Sequence, residues 1–117
     1  MIVAGQQKKA KYWGRFTVEK VARLKQPVEC QCEEVGTALF APTIVKIQWE
    51  KPPSDDKHEF WFPYWITING KEKYGQFAPM IGEKALLELL GDAIEQGFFS
   101  KAFLSSLGRI IVEKSGG

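Results

Sequence analysis

The sequence predicts an α+β domain: a mainly antiparallel, twisted sheet of about five to six strands packed on two C-terminal helices. Three observations point there. Asn69-Gly70 stands inside a run of aromatic and β-branched residues, the signature of a hairpin closed by a type I′ turn. Alternation of apolar and polar residues recurs in several stretches before it. After it, Leu86, Leu87, Leu90, Ala93 and Ile94 recur at helical spacing. Strands first and helices last is the α+β order.

Taken in order, residues 1–10 carry few core residues and hold Gln6-Gln7-Lys8-Lys9, so they are expected to be a flexible lead-in. Tyr12, Phe16, Val18, Ala22 and Leu24 then alternate with Arg15, Thr17, Glu19, Arg23 and Lys25, which predicts a strand over residues 13–18. Lys20 breaks that alternation, and Val18, Val21 and Ala22 also fit helical spacing, so residues 19–25 stay open between the two. Pro27 interrupts any helix there. Val28, Cys30 and Cys32 alternate with Glu29, Gln31 and Glu33 as a second strand, and residues 36–42 read as a connection. Thr43, Val45, Ile47 and Trp49 face one way in a third strand, with Lys46 and Gln48 facing the other.

Residues 51–57 form the clearest loop, stiffened by Pro52 and Pro53. The aromatic stretch follows over residues 60–77. If Asn69-Gly70 is a two-residue loop, Ile68 faces Lys71, Ile66 faces Lys73 and Trp65 faces Tyr74. Pro63 cannot donate to a ladder, so its strand lies at an edge, carries a bulge or begins at Tyr64. Residues 79–82 lead into a helix over 83–96, with Glu83 in its first turn and Gly97 just past its end. Ser100 caps a shorter helix carrying Phe103, Leu104 and Leu107, which Gly108 ends. Ile110-Ile111-Val112 then predicts a last strand over 109–114, with a helical continuation as the alternative. Residues 115–117 are expected to be loose. Neither a repeat nor a second domain is visible, so residues 1–117 read as one domain.

The totals fit that reading. A chain of 117 residues suits one domain that buries roughly two-thirds of its unfolded surface. With 44% apolar and 26% charged residues it has the composition of a globular protein rather than a disordered one. A net charge of +2 removes the argument for a generally basic polyanion binder and leaves only a local patch. Apolar runs fall short of the ~20 residues that cross a bilayer, so no membrane association is expected. The first residues place charge after a very short apolar stretch, the reverse of a secretory signal, and two cysteines cannot build a disulfide framework. The expected setting is cytoplasmic.

Chemistry-bearing motifs are scarce. Cys30 and Cys32 share a strand face, yet zinc takes four ligands, and His58 is the chain's single histidine. Asp55-Asp56-Lys57-His58-Glu59 gathers the most titratable groups, in a place where an exposed turn explains them. No phosphate-cradling glycine spacing or nucleophile elbow is present. The sequence therefore assigns no catalytic residue, metal or cofactor, and it favours a binding module over an enzyme that gathers dispersed residues in a cleft.

Two binding surfaces compete. In residues 60–68 both strand faces are apolar: Phe60, Phe62, Tyr64, Ile66 and Ile68 on one, Trp61 and Trp65 on the other. A one-sided sheet needs only one apolar face, so something must cover the second. Phe60, Trp61, Phe62, Tyr64, Trp65 and Tyr74 are the predicted interface, for a second copy or a protein partner, or else the lining of a small apolar ligand's site. The alternative is single-stranded nucleic acid. Lys8, Lys9, Lys11 and Arg15 would meet phosphates there while Trp13 stacks on a base.

Overall fold

The computed structural model describes residues 2–75 and 80–116. Seven strands and two helices follow in order: β1 (Gln7–Ala10), β2 (Gly14–Arg23), β3 (Val28–Cys32), β4 (Gly36–Trp49), β5 (His58–Trp61), β6 (Tyr64–Ile68), β7 (Lys71–Tyr74), α1 (Glu83–Glu95) and α2 (Lys101–Ser115). Every strand pairing is antiparallel. The α+β class expected from the sequence is the one observed. Phe77 and Pro79, which close the aromatic stretch and open the approach to α1, lie outside the described residues, as does Gly117 of the tail.

β4 is the spine of the sheet. On one edge it carries β2 against its C-terminal half and β3 against its N-terminal half. On the other edge it carries β5 and β6 in the same fashion. Residues 36–42 are thus strand, not connection. Pro42 is tolerated inside it for a directional reason. The Thr43 N–H points to Pro63 O at 3.0 Å, so the Pro42 nitrogen faces the opposite edge, where the interval between β2 and β3 asks for no donor. Pro63 does the same service in reverse: β5 stops at Trp61, β6 starts at Tyr64, and the Pro63 carbonyl accepts from both the N–H and the hydroxyl of buried Thr43.

The broken alternation in β2 has a physical cause. The ladder with β4 slips between Val18 and Lys20, a β-bulge at Glu19 that turns Val21 to the same side as Phe16 and Val18. Strand therefore continues through Arg23. Ile2, from the lead-in expected to be flexible, is buried beside them, and β1 within that lead-in pairs with β2.

The curled sheet has two apolar sides. Inside the curl, Phe16, Val18, Val21, Val45, Ile47 and Trp49 form one core, with Trp61 and Trp65 packed against it. On the outer side Ala22 and Ile44 meet Leu89, Ala93 and Phe98. α1 lies there, along β2 and β4. Its polar side chains hold the free edge of β2: Asp92 Oδ2 accepts from Arg23 N at 3.1 Å and Glu88 Oε2 from Lys25 N at 2.9 Å.

At the other end of the chain, the predicted strand over 109–114 is helix. α2 runs unbroken from Lys101 to Ser115, through Gly108, and Ser100 caps it as expected, its Oγ accepting from Phe103 N at 3.1 Å. A glycine inside a helix costs only about 1 kcal/mol relative to alanine, and Gly116 in the left-handed conformation supplies the stop instead. α2 meets the sheet side through its first turn, where Phe103 packs on Phe99 and Phe99 on Phe60. Among the described residues no Cα of α2 comes within 8 Å of any other strand or helix. The radius of gyration, 16.1 Å, accordingly exceeds the ~13 Å of a compact chain of this size.

Candidate functional site

The hairpin closes as the sequence predicts. Asn69 and Gly70 both adopt positive φ, Ile68 pairs with Lys71, Ile66 with Lys73 and Trp65 with Tyr74. The Trp65 and Tyr74 rings meet edge-on at 5.6 Å. The two-sided apolar character of residues 60–68 is also real, since Trp61 lies opposite Val45 and Phe60 opposite Lys46 across β4.

The two sides have different fates. Trp61 turns into the curl, 5.8 Å from the Phe16 ring and 6.2 Å from Tyr74. Trp65 joins it there, so both tryptophans are half-buried against the chain's own core. Tyr74 remains half-exposed at the end of β7. Tyr64 faces outward and packs on Phe40, ring centroids 5.2 Å apart. Phe60 and Phe62 stay exposed on the outer side.

Phe60 anchors an aromatic row. Its ring stacks at 6.3 Å on Phe98 and lies 5.1 Å from Phe99, which in turn lies 4.9 Å from Phe103 at the start of α2. A depression of about 560 Å³ opens between Phe60, Phe62, Leu90, Phe99 and Phe103. From its edge the apolar side chains of α2 continue outward: Phe103, Ile110 and Ile111 are 48%, 54% and 57% exposed. Leu86, Leu87 and Ile94 of α1 are exposed as well. This outer corner is an extended run of exposed apolar side chains. A second depression, about 500 Å³, lies between α1 and β3, lined by Leu24, Val28, Phe40 and Ile81.

The basic segment forms a wing. β1 and β2 are joined by Lys11-Tyr12-Trp13, whose aromatic rings are 79% and 60% exposed, and Lys11 Nζ stands 5.4 Å from the Tyr12 ring centre. Lys9 lies directly opposite Arg15, so the two cations share a face. Lys8 lies opposite Phe16 and therefore belongs to the other face.

The remaining candidates stay apart. Cys30 and Cys32 are free thiols on β3, and no group of three or more potential ligands for a metal ion occurs among the described residues. Asp55 and Asp56 are exposed, the Asp56 N–H being held by Ser54 Oγ at 3.2 Å. His58 Nε2 lies 3.0 Å from Glu19 Oε2, the approach of a partly exposed ion pair. No described helix is long and apolar enough to cross a membrane.

The apolar face of α2 is what sequence reasoning missed. The signal was present: Phe103, Leu104, Leu107, Ile110 and Ile111 keep helical spacing straight through Gly108. Reading Gly108 as a terminator and the Ile-Ile-Val triplet as a strand cut the stripe in two. No protein-family model, curated protein or solved structure matches the chain, so the functional reading rests on this geometry.

Proposed function

We propose that this chain is an interaction domain that docks a protein surface on its outer corner, formed by Phe60, Phe62 and the apolar stripe of α2. One observation carries the reading. α2 is a helix of 15 residues that, among the described residues, brings no Cα within 8 Å of another strand or helix, and its Phe103, Ile110 and Ile111 are about half-exposed. Isolated helices shorter than ~12–15 residues are marginal in water even when rich in alanine, and α2 contains Gly108 and the β-branched Ile110, Ile111 and Val112. Such a segment holds its helix when a partner covers it. The docking surface is therefore placed on the Phe60 side of the sheet rather than on the Trp61 and Trp65 side, because the chain's own core covers those tryptophans.

The test is amide exchange along α2, measured over a wide concentration range beside sedimentation. The reading expects α2 to be unprotected in the dilute monomer and to gain protection once a partner covers it. A monomer at every concentration with α2 already protected would refute it, since the helix would then be folded back on its own domain.

A second reading has its own observation. The exposed Trp13 at the tip of the β1–β2 wing, with Lys9, Lys11 and Arg15 around it, has the parts of a single-strand stacking site. It expects oligonucleotide binding that falls steeply with salt. Absence of binding at low salt ends it. A cytoplasmic setting, expected from the sequence, is compatible with both readings.

A further inference from the structure

We infer that the outer face of the β1–β2 wing, where it meets β4, carries the phosphodiester backbone of a single-stranded nucleic acid whose base stacks at Trp13. The inference rests on the second reading above and adds the path of the strand and a residue from another part of the chain, Lys57. It comes from a depression of about 620 Å³ beside the wing, lined by Gln7, Arg15, Thr17, Gln48, Glu50 and Lys57. Phe16, Val18, Ile47 and Trp49 turn into the core, so Thr17 and Gln48 between them face outward. Gln7 lies directly opposite Thr17 and shares that face, as Lys9 shares it opposite Arg15. α1 covers the outer side further along, around Ala22 and Ile44, and leaves this end open.

The chemistry of this depression is that of a track for spaced negative charges. Backbone hydrogen bonds tie its elements side by side: Glu50 N donates to Arg15 O and Trp49 N to Lys57 O, each at 3.0 Å. Arg15 and Lys57 are therefore carried two strand spacings apart, ~10 Å between backbones, with Lys9 one spacing beyond Arg15. Among the described residues none of these three cations forms an ion pair. The side chains of Gln7, Thr17 and Gln48 make no hydrogen bond within the described chain, which leaves their donors for phosphate oxygens. Glu50 is the one carboxylate of the lining. A compact, multiply charged anion would sit against it, whereas a chain with one charge per nucleotide passes with its phosphates on the cations to either side.

The tip of the wing decides between polyanions. Tyr12 and Trp13 lead into Arg15, and both rings are exposed. Exposed rings beside unpaired cations are the two parts of a single-strand site, stacking for the bases and charge for the backbone. An acidic peptide uses the charge and leaves the rings idle. The register also supplies an internal control. Lys8 neighbours Lys9 in sequence but lies opposite Phe16, on the face away from the track.

The experiment titrates the full chain into a fluorescein-labelled oligothymidylate of about ten nucleotides, with far-UV circular dichroism confirming that each variant keeps its fold. Each phosphate contact to a single strand adds about 0.7 to the slope of log affinity against log salt, so three contacts lower binding about twentyfold between roughly 50 and 200 mM salt. Lys9→Gln, Arg15→Gln and Lys57→Gln are each expected to cut that fall to about sevenfold, while Lys8→Gln leaves it as in the wild type. Glu50→Gln is expected to tighten binding, and Trp13→Ala to weaken it at least about fivefold with the salt response unchanged. Polyglutamate of the same length is expected not to compete. A Lys57→Gln chain with the wild-type salt response, or a Lys8→Gln chain that loses as much of it as Lys9→Gln, overturns the track. If Trp13→Ala still weakens binding in that case, the wing reading stands. Polyglutamate competing as well as the oligonucleotide overturns the choice of nucleic acid. No binding at the lowest salt overturns both the track and the reading on which it rests.

Discussion

Replacing Asp92 by alanine isolates the interaction that fixes α1, and with it the direction in which α2 leaves the sheet. The Asp92 carboxylate Oδ2 accepts from the Arg23 N–H at 3.1 Å and from Gln96 Nε2 at 3.0 Å. Gln96 Nε2 also donates to Val21 O at 3.0 Å, and the Gln96 carbonyl accepts from Lys20 Nζ at 2.7 Å. The carboxylate is therefore both a terminus for the free edge of β2 and the anchor of the residue that closes α1. Its removal leaves the part-buried Arg23 N–H without an acceptor, which costs about 1–3 kcal/mol. Gln96 keeps its bond to Val21, so its share of the loss is small. The expected destabilisation of Asp92→Ala is about 2 kcal/mol. For a domain of this length that lowers the melting temperature by roughly 8 °C. Asp92→Asn retains an acceptor and is expected to lose about half as much. Urea unfolding followed by tryptophan fluorescence measures this, with an unchanged slope showing that only stability has moved. Combining Asp92→Ala with Gln96→Ala is expected to be less than additive, because the two share a network. An Asp92→Ala chain within 0.5 kcal/mol of wild type, or additivity in the double variant, would refute the claim that this carboxylate holds the helix (the threshold is about the spread of surface substitutions).

Other outcomes follow from single contacts. Leu89 is fully buried between α1 and the sheet, so Leu89→Ala is expected to cost about 3–5 kcal/mol in urea unfolding. Asn69 holds φ 51°, and Asn69→Ala is expected to lose about 1 kcal/mol, with Asn69→Gly close to neutral in the same titration. A side chain at Gly75 would enter the Tyr64 ring, so Gly75→Ala is expected to displace that ring and cost about 1–3 kcal/mol, visible as altered near-UV dichroism. Trp13→Ala is expected to leave the melting temperature unchanged and, if the wing binds single-stranded nucleic acid, to weaken an oligonucleotide by about 1–3 kcal/mol in a fluorescence titration at low salt.

What the sequence revealed depended on whether the information was local. The Asn69-Gly70 turn carries its conformation in two adjacent residues, and the register from Ile68–Lys71 to Trp65–Tyr74 follows from it without tertiary knowledge. The cap at Ser100 is equally local. Residues 36–42, by contrast, read as a connection, and the place of Pro42 inside a strand depends on which edge of β4 lacks a neighbour, which β2 and β3 decide together. The bulge at Glu19 likewise exists only in relation to β4, so from sequence it shows as a lost period at Lys20. For the site, the two apolar faces of residues 60–68 were legible but which face is covered was not. The curl that folds Phe16 and Tyr74 around Trp61 arises from long-range pairing, and no pattern within the stretch encodes it. α2 was misread for the opposite reason: a local rule about glycine was allowed to override a continuous helical period.

The outer strands of the sheet bear on how this chain behaves when crowded. β1 presents Lys8 and Lys9 along one terminal edge, and β7 presents Lys71, Glu72 and Lys73 along the other. Charged side chains of this kind discourage a further strand from adding to an open ladder, because each added strand would have to strip water from them. Addition of a further strand is thereby discouraged along β1 and β7.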